Sequence, residues 1–490
     1  MPKENLEQAL QEWIEKKGRF ERELAINSSP IQKYELEKRI EECDQNIQRL
    51  ENYKDSPPIR PPKIIPRRSI ATLTGTGCTI IVLIIRWLGF LQPMELSIYD
   101  HLLLIRPKES YDDRITIIGA TAEDLAAQRE RNETGALEQT ISNQALKEIL
   151  DILSQENVKP AIIALDLYRD FKTNEPLEKT FQKLQQDPDL DIFAVCESPN
   201  SKDEGTDPPL TKFFPSKYVG FANFIPDEDE VLRRQLIEMP ARPDHNCQSE
   251  QSLGFLVALR YLEKHSKQKF IYNELWTPEG NLTLNGTELK RINTYAFGGY
   301  QYVDANGVQF LLNYRTPTKD LSEITQKPLS IEAVRQRKIL TIGILEKYLK
   351  DRIVIIGVTD KNVAKDIFKT PYGKAVGATI HAHMISQIIS TVLDERQLIW
   401  VWSQWVEAGW IFLWGLTGGI IAVYVKPRLI SLAAIIIAGC IICGTVATIF
   451  ITKSGWVPML PPMMVLTFSG ASAGHLHRKI TLYHTKSDPK

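Results

Sequence analysis

The chain has 490 residues, more than one typical domain needs, and its 59 basic and 60 acidic residues almost cancel. This balance argues against a protein whose overall charge attracts nucleic acid. The six cysteines lack the paired CxxC spacing of a zinc cluster, so no metal or other cofactor is predicted. Long apolar runs near residue 80 and after residue 400 are typical of membrane helices instead.

Residues 1–56 are predicted to form a cytoplasmic helical hairpin or coiled coil. Apolar side chains from Leu36 to Leu50 are spaced 4, 3, 4 and 3 residues apart, which keeps one seam along a helix. Ser29-Pro30 is a typical helix start, and an earlier helix ends near Asn27. The seam joins two copies in a homodimer, recruits a partner, or packs the two helices on each other. A stiff, proline-rich and basic linker follows at 57–69.

Four transmembrane helices are predicted from the apolar runs, at residues 70–91, 406–425, 429–451 and 456–474. The distribution of Lys and Arg places both termini, including the tail 475–490, in the cytoplasm. It places the segment 94–396 outside the plasma membrane. Arg86, near one end of the first span, is expected to reach the lipid headgroups, and Glu407 is expected to be exposed at the interface, with a relay role as the alternative.

The segment 94–396 has the pattern of a mixed, mainly parallel α/β domain. Near-continuous apolar strands joined by helices indicate a parallel sheet covered on both faces. Asn-Gly turns within Leu282–Leu289 and Tyr300–Tyr314 indicate an additional antiparallel portion. A helical pattern at Gly377–Leu393 then leads toward the membrane. The predicted strands and one further helix are Ile115–Gly119, Ala161–Leu165, Ile192–Val195, Ile353–Ile356 and the helix Gln144–Leu153.

Ligands of open α/β sheets bind beyond the carboxyl ends of the strands. The polar residues at those ends are Thr121, Asp166, Thr359 and Asp360, which are therefore candidate ligand contacts. Asp166 is the most suggestive because a buried carboxylate must be paired or hydrogen-bonded. It either contacts a ligand or ion, with Arg169 as its neighbour, or forms a structural salt bridge or helix cap.

Other chemical motifs are weaker. His381 and His383 lie at i and i+2, so on a helix they point to different faces and cannot chelate one metal; one is expected to pack near the sheet and the other to face outward. Cys196 and Cys247 are the only cysteines of the outer segment, and an oxidising compartment permits a disulfide between them. Nucleotide-binding, kinase and nucleophile-elbow motifs are absent from the sequence, so no enzymatic activity is predicted.

Seven segments, in order, resemble the second class of CHASE extracytoplasmic sensor domains of cyanobacteria and other bacteria. The resemblance covers essentially all of residues 94–396. It implies a ligand-sensing module outside the membrane, in a family commonly joined to a kinase or cyclase. The segments are SIYDHLLLIRP with DDRITIIG, IIALDLYRD, YVGFANFIPDEDEVLRR, SLGFLVALRYL, LLNYR, DRIVIIGVTDKNVAKDIFKTPYG and GATIHAHMISQIIS.

The resemblance singles out the polar residues of these motifs, which either bind ligand or hold the fold. Through it, Asp366 joins the ligand candidates. The sequence departs from the family pattern in two loops. GATAEDL follows the first strand, whereas many members place an acidic residue immediately at the strand end, and Glu230 stands where a turn glycine is common. DEDE lacks the spacing of a calcium loop and is expected to be a solvated turn. The polar motif residues are Asp166, Arg233, Arg234, Asn313, Asp366 and His381.

The sequence thus predicts a multi-pass membrane sensor that detects an unknown small-molecule or envelope ligand. Only eleven residues follow Lys479, so the expectation is a sensor without a kinase or cyclase of its own, signalling to a separate protein. The alternative is a structural or scaffolding membrane protein that uses the outer domain for protein contacts. Neither function involves nucleic acid.

Overall fold

The computed structural model describes two compact units, within Met1–Pro66 and Arg67–Lys490. The first contains helices α1 (Lys3–Ile26) and α2 (Pro30–Lys54), which pack along a seam that includes the buried Leu36 and Cys43. The predicted helix start at Ser29-Pro30 is confirmed. The described residues are 3–26, 29–54, 66–133, 140–169, 174–199, 204–208, 214–266, 274–284, 286–325, 328–336 and 341–487.

The second unit combines an α/β domain with long apolar helices. Its helices are α3 (Arg67–Trp87), α4 (Gln92–Leu104), α5 (Ala122–Glu130), α6 (Asn143–Leu153), α7 (Glu175–Gln185), α8 (Leu253–Ser266), α9 (Ile331–Gln336), α10 (Ile342–Leu349), α11 (Gly377–Leu393), α12 (Gln404–Tyr424), α13 (Arg428–Lys453) and α14 (Leu460–Ser487). Its strands are β1 (Ile115–Ala120), β2 (Ile162–Asp166), β3 (Asp191–Cys196), β4 (Val219–Phe221), β5 (Arg234–Glu238), β6 (Leu282–Leu284), β7 (Thr287–Leu289), β8 (Ala296–Phe297), β9 (Tyr300–Gln301), β10 (Val308–Leu311), β11 (Leu329–Ser330), β12 (Ile353–Val358), β13 (Ile367–Thr370), β14 (Gly373–Val376), β15 (Trp400–Val401) and β16 (Gly455–Trp456).

The domain is organised around a six-stranded parallel sheet in the order β11-β1-β12-β2-β3-β4. Side chains of β12 alternate between its two faces, as a strand requires. Val354 and Ile356 pack with helices α6, α7, α9 and α10, while Ile353 and Ile355 pack with α8 and α11. The predicted mainly parallel α/β domain is confirmed.

The antiparallel portion differs in detail from the prediction. β6 and β7 pair as expected within Leu282–Leu289. Tyr300–Tyr314 does not form a hairpin, because β9 pairs with β8 and β10 pairs with β5. Alternation identified the strands of this segment, but their partners lie elsewhere in the chain.

Helix α11 has the predicted bounds and lies closely against the sheet. A Cβ atom on Gly357 of β12 would come within 2.9 Å of the Ala378 Cβ, so the glycine permits this approach. As a result, the N-terminus of α11 lies beside the carboxyl end of the central strands. This contact positions the candidate site.

The prediction of four membrane spans is wrong. Among the described residues, three helices are long and apolar enough to cross a membrane: α3, α12 and α13. Residues 456–474 instead contribute β16 and part of α14, whose prolines, serines and glycines reduce its apolar character. α14 nevertheless packs against α3 and α12 through small residues, since a Cβ on Gly418 would lie 2.2 Å from the Leu466 carbonyl oxygen.

Candidate functional site

Three polar side chains meet beside the carboxyl ends of the central strands. Asp166 ends β2, Asp366 lies between β12 and β13, and His381 is on the second turn of α11. The His381 Nε2 atom is 3.7 Å from the Asp166 Oδ1 atom, and both carboxylates lie beside Gly377. We call Asp166, Asp366 and His381 the sheet-edge cluster.

Gly377 creates the space for this cluster. A Cβ atom at this position would lie 1.8 Å from the Asp366 Oδ2 atom and 3.6 Å from the Asp166 Oδ2 atom. The Gly377 backbone N–H, at the N-terminus of α11, donates to the Asp366 backbone carbonyl oxygen at 3.0 Å, and the Asp366 carboxylate lies beside it. The partial positive charge of a helix N-terminus favours an anion at this place.

Burial changes the protonation of the whole cluster. It raises the pKa of Asp366 to about 6, and burial together with the charge of Asp366 raises the pKa of Asp166 well above its ordinary value. Burial lowers the pKa of His381 to about 3, so its imidazole is neutral at pH 7. The close approach of His381 to Asp166 is therefore not an ion pair, and no Lys or Arg of the described residues pairs with either carboxylate.

His383, two residues along α11, provides an internal comparison. Its Nε2 atom lies 3.0 Å from the Leu321 carbonyl oxygen, and its Nδ1 atom accepts from the Arg315 backbone N–H at 3.3 Å. Neither ring nitrogen of His381 has a hydrogen-bond partner among the described residues. Both histidines are buried, so the expectation that one faces outward is wrong: α11 is covered on all sides by the domain.

Aromatic groups surround the sheet-edge cluster. The Phe224 ring lies 4.8 Å from the His381 ring and 4.7 Å from the Phe368 ring, measured between centroids. Tyr168, two residues after Asp166, forms a hydrogen bond with the Glu197 carboxylate. The two Phe rings thus form an apolar wall beside the cluster, and the Glu197 carboxylate with its Tyr168 partner lies next to it.

Three other predicted ligand contacts are occupied within the protein. Thr121 caps α5 by accepting from the Asp124 backbone N–H. Asp360 accepts from the backbone N–H groups of Ala122 and Asn362, which ties the end of β12 to the start of α5. The Thr359 side chain lies against Gly119, where a Cβ would come within 2.1 Å of its Oγ1 atom. These residues lie at the ends of β1 and β12 and stabilise the connection between them.

Arg169 is not the neighbour of Asp166 that the sequence suggested. Its buried guanidinium donates to the Asn143 Oδ1 atom and to the Ile141 carbonyl, toward α6. Cys196 and Cys247 are joined by a disulfide, which ties the end of β3 to the segment between β5 and α8. Arg169 and the disulfide therefore hold the domain together beside the sheet-edge cluster.

Arg233 and Arg234 lie in a second group of buried charges, which we call the base cluster together with Asp100, Asp227 and Asp229. Arg233 donates to all three carboxylates at 2.7 to 2.9 Å, and Arg234 donates to Asp227 at 2.7 Å. Asp100 belongs to α4, so the cluster fastens that helix to the domain. DEDE is thus not simply a solvated turn, because two of its carboxylates bind Arg233.

The membrane junction is a third group of charges, formed by Arg86, Glu95, Glu407 and the Gly298 carbonyl. Arg86 of α3 donates to Glu407 of α12 at 2.6 Å, to Glu95 of α4 at 3.0 Å and to Gly298 at 2.7 Å. Arg86 is only 6% exposed and Glu407 2%, so the expectations of headgroup contact and interfacial exposure are wrong. Charged residues within predicted spans often pair with each other, and this was the available sequence clue.

The family model of the CHASE2 domain matches residues 78–420, more than half of the chain. This chain belongs to the CHASE2 domain family. The match begins within α3 and ends within α12, so the CHASE2 region includes both Arg86 and Glu407. No curated protein and no solved structure matches the chain.

CHASE2 is a sensor-domain family. With the three apolar helices, membership indicates a membrane protein that carries an extracytoplasmic sensor domain. The polar CHASE2 motif residues fall into two groups in this structure, apart from Asn313, which is hydrogen-bonded to Arg106 and Gln387. Asp166, Asp366 and His381 form the sheet-edge cluster, whereas Arg233 and Arg234 form ion pairs near α4.

Proposed function

We propose that this CHASE2 protein is a membrane sensor in which a ligand or envelope condition changes the outer domain, and this change moves the membrane helices. The observation that carries the proposal is the membrane junction. One buried guanidinium binds α12, α4 and the β8–β9 turn at once. A change in the position of that turn therefore acts on two membrane helices through short, charge-assisted hydrogen bonds.

Further contacts connect the domain to β16, which lies between α13 and α14. Trp456 packs against Tyr99 of α4 and Tyr300 of β9, with ring centroids 4.7 and 5.8 Å apart. A Cβ on Gly298 or Gly299 would come within 2.7 Å of the Trp456 ring, so the β8–β9 turn fits closely over it. Close packing transmits displacements because it leaves little free volume.

Helix α11 supports a route from the sheet-edge cluster to α4. Gln387 of α11 accepts from the Asn313 backbone N–H, and the Asn313 side chain accepts from Arg106, just beyond α4. Arg396, just beyond α11, binds Glu109 at 2.8 Å. A shift of α11 would thus reach α4 through hydrogen bonds that involve few intermediate residues. Such coupling requires that a ligand bind two states of the domain with different affinity.

The receiver of the signal, in this proposal, is a separate signalling protein. The first unit supports this contact, because the α1–α2 pair leaves Ile14, Ile31 and Tyr34 exposed. Exposed apolar side chains on a helix pair are typical of surfaces that bind another helix. A second copy of the chain is the alternative occupant of this surface.

The proposal is tested on the full chain in lipid nanodiscs by amide hydrogen exchange across a panel of metabolites and pH values. We expect at least one condition to change exchange in both the outer domain and α12. Arg86→Gln should keep the first change and lose the second. Arg335→Gln is the matched control, since Arg335 also binds three carboxylates but lies within the outer domain.

Two results would contradict the sensor. In one, no condition alters the outer domain; in the other, the outer domain responds while α12 does not. Either result favours a scaffold, in which the membrane junction is a static attachment. Capture of one stoichiometric partner that is unaffected by every condition would support that reading further.

A further inference from the structure

The sheet-edge cluster brings two carboxyl groups together, and the described residues provide neither with a cationic partner. Asp166 and Asp366 lie beside each other, and the Asp166 side chain is 10% exposed. Among the described residues, no Lys or Arg forms an ion pair with either one. Buried charges in proteins are normally paired. The base cluster shows that this domain supplies arginines where carboxylates serve only to hold the fold.

His381 is an independent indication that a group is to be bound here. It is 1% exposed, and its Nδ1 and Nε2 atoms both lack a partner among the described residues. Buried polar atoms generally have hydrogen-bond partners, and His383 on the same helix has them. The Nε2 atom points toward Asp166 at 3.7 Å, beyond hydrogen-bond distance but suitable for sharing one donor group.

The three side chains match the donors of one chemical group. Two carboxylates and the lone pair of a neutral imidazole are three acceptors, and a primary ammonium has three N–H donors. Phe224 and Phe368 add an apolar wall next to His381 that suits the carbon skeleton of an amine. The described residues include no group of three or more His, Cys, Asp or Glu side chains that could hold a metal ion.

We propose that the sheet-edge cluster binds a small primary amine in its ammonium form, with Asp166, Asp366 and His381 accepting its three hydrogen bonds. Gly377 provides the room for Asp366 at the N-terminus of α11, so the ammonium group contacts the helix that leads toward α4. The physiological role of this binding, as the stimulus of the sensor, rests on the proposed function. The binding itself does not.

The test uses the full chain in nanodiscs at pH 7.5 with methylammonium and benzylammonium, and with benzyl alcohol and benzoate as neutral and anionic analogues. Binding is measured as protection of the first-turn amides of α11 from hydrogen exchange and as a rise in the unfolding midpoint. We expect protection by the amines and none by the two analogues. Acidification should weaken binding, because protonation of Asp166 or Asp366 removes an acceptor. Glu197 and the neutral His381 are other titratable groups that face these two carboxylates.

Variants assign the protection to the cluster. Asp166→Asn and Asp366→Asn should each weaken benzylammonium binding at least about tenfold, since each removes a charged acceptor. Asp360→Asn is the matched control on the neighbouring strand end and should bind like the wild type. His381→Phe, which fills the same space without an acceptor, should weaken binding by a smaller factor. Unchanged exchange in α6 verifies that each variant is folded.

Four results would overturn the proposal. They are a lack of protection by every amine, equal protection by benzyl alcohol, wild-type affinity in both Asn variants, and Asp166-dependent protection by Ca²⁺, Mg²⁺ or Zn²⁺ in place of amines. Failure of the sensor is distinguishable from failure of the site. An amine that protects α11 without affecting α12 supports the site and contradicts the sensor. If no amine protects α11 but another metabolite changes exchange in the outer domain and in α12, the sensor is supported and the amine site is contradicted.

Discussion

Two groups of buried charge in the outer domain have opposite composition. In the base cluster, the carboxylates of Asp100, Asp227 and Asp229 all bind Arg233. In the sheet-edge cluster, Asp166 and Asp366 both lie beside Gly377, and Asp166 approaches a neutral imidazole. The comparison teaches that burial alone does not identify a site. The same domain uses paired charges for attachment, whereas the described residues supply no Lys or Arg partner for the carboxyl groups where the strands end.

The base cluster should dominate stability. Arg233→Met leaves Asp100 and Asp229 without their cation and Asp227 with Arg234 alone, and should lower the free energy of unfolding by about 3–5 kcal/mol. Chemical unfolding of the purified full chain measures this loss. Lys369→Met is the control, because the Lys369–Glu230 pair is exposed and should contribute about 0–1 kcal/mol. Equal effects in the two variants would remove the distinction between paired core and surface charges.

Acid should stabilise the sheet-edge cluster, in contrast to carboxylates whose pKa is lowered by folding. Because folding raises the pKa of Asp366 from 3.8 to about 6, the folded state binds its proton more tightly than the unfolded state does. Stability should therefore rise by about 1.3 kcal/mol as the pH falls from 7 to 5, and the full gain of about 3 kcal/mol is reached only below the unfolded-state pKa. Carboxylates with a lowered pKa, such as Asp112 and Asp191, lose their contribution only at lower pH.

Asp366→Asn separates this effect from other titrations. It should flatten the rise between pH 7 and 5 and make the protein more stable than the wild type at pH 7, as measured by its unfolding midpoint. Benzylammonium should flatten the wild-type profile in the same range. A variant that is less stable at pH 7 would show that the Asp366 carboxylate serves the fold rather than a ligand.

Gly377→Ala should separate binding from stability. The added Cβ must displace the Asp366 carboxylate, from which it would lie 1.8 Å. The free energy of unfolding should change by no more than about 1 kcal/mol, because the side chain can move and alanine favours the helix. Protection by benzylammonium should be lost. Gly343→Ala, in α10 with open space around it, should retain full protection and so controls for a general effect of alanine in helices.

The smallest effect is expected at Glu230, in the turn that presents Asp227 and Asp229. Its φ of +65° is left-handed, a conformation that glycine adopts without strain. Glu230→Gly should raise stability by less than about 1 kcal/mol. Glu230→Ala keeps the Cβ while losing the Lys369 contact, so it should show no gain. A gain in both variants would assign the effect to charge instead of backbone strain.

Local patterns in the sequence predicted the sheet and α11, because strand alternation and helical periodicity are properties of neighbouring residues. They also brought Asp166 into consideration, since it directly follows an apolar strand. Sequence could not predict that Arg86 binds Glu407, which is 321 residues away. The three-dimensional arrangement likewise separated Asp166 from Arg169, because the residues after β2 turn the guanidinium toward α6. The fourth span was predicted wrongly because the length of the segment was given more weight than the many small and polar residues of α14.

The central claim is that the sheet-edge cluster and the membrane helices move together. Spin labels at Lys374, on the exposed part of β14, and at Trp405, at the start of α12, report their distance in the full chain in nanodiscs. The free cysteines are first replaced and the Cys196–Cys247 disulfide is kept. Benzylammonium should shift the distance distribution in the wild type and leave it unchanged in Asp166→Asn. Protection of α11 by the amine with an unchanged distribution would contradict the claim.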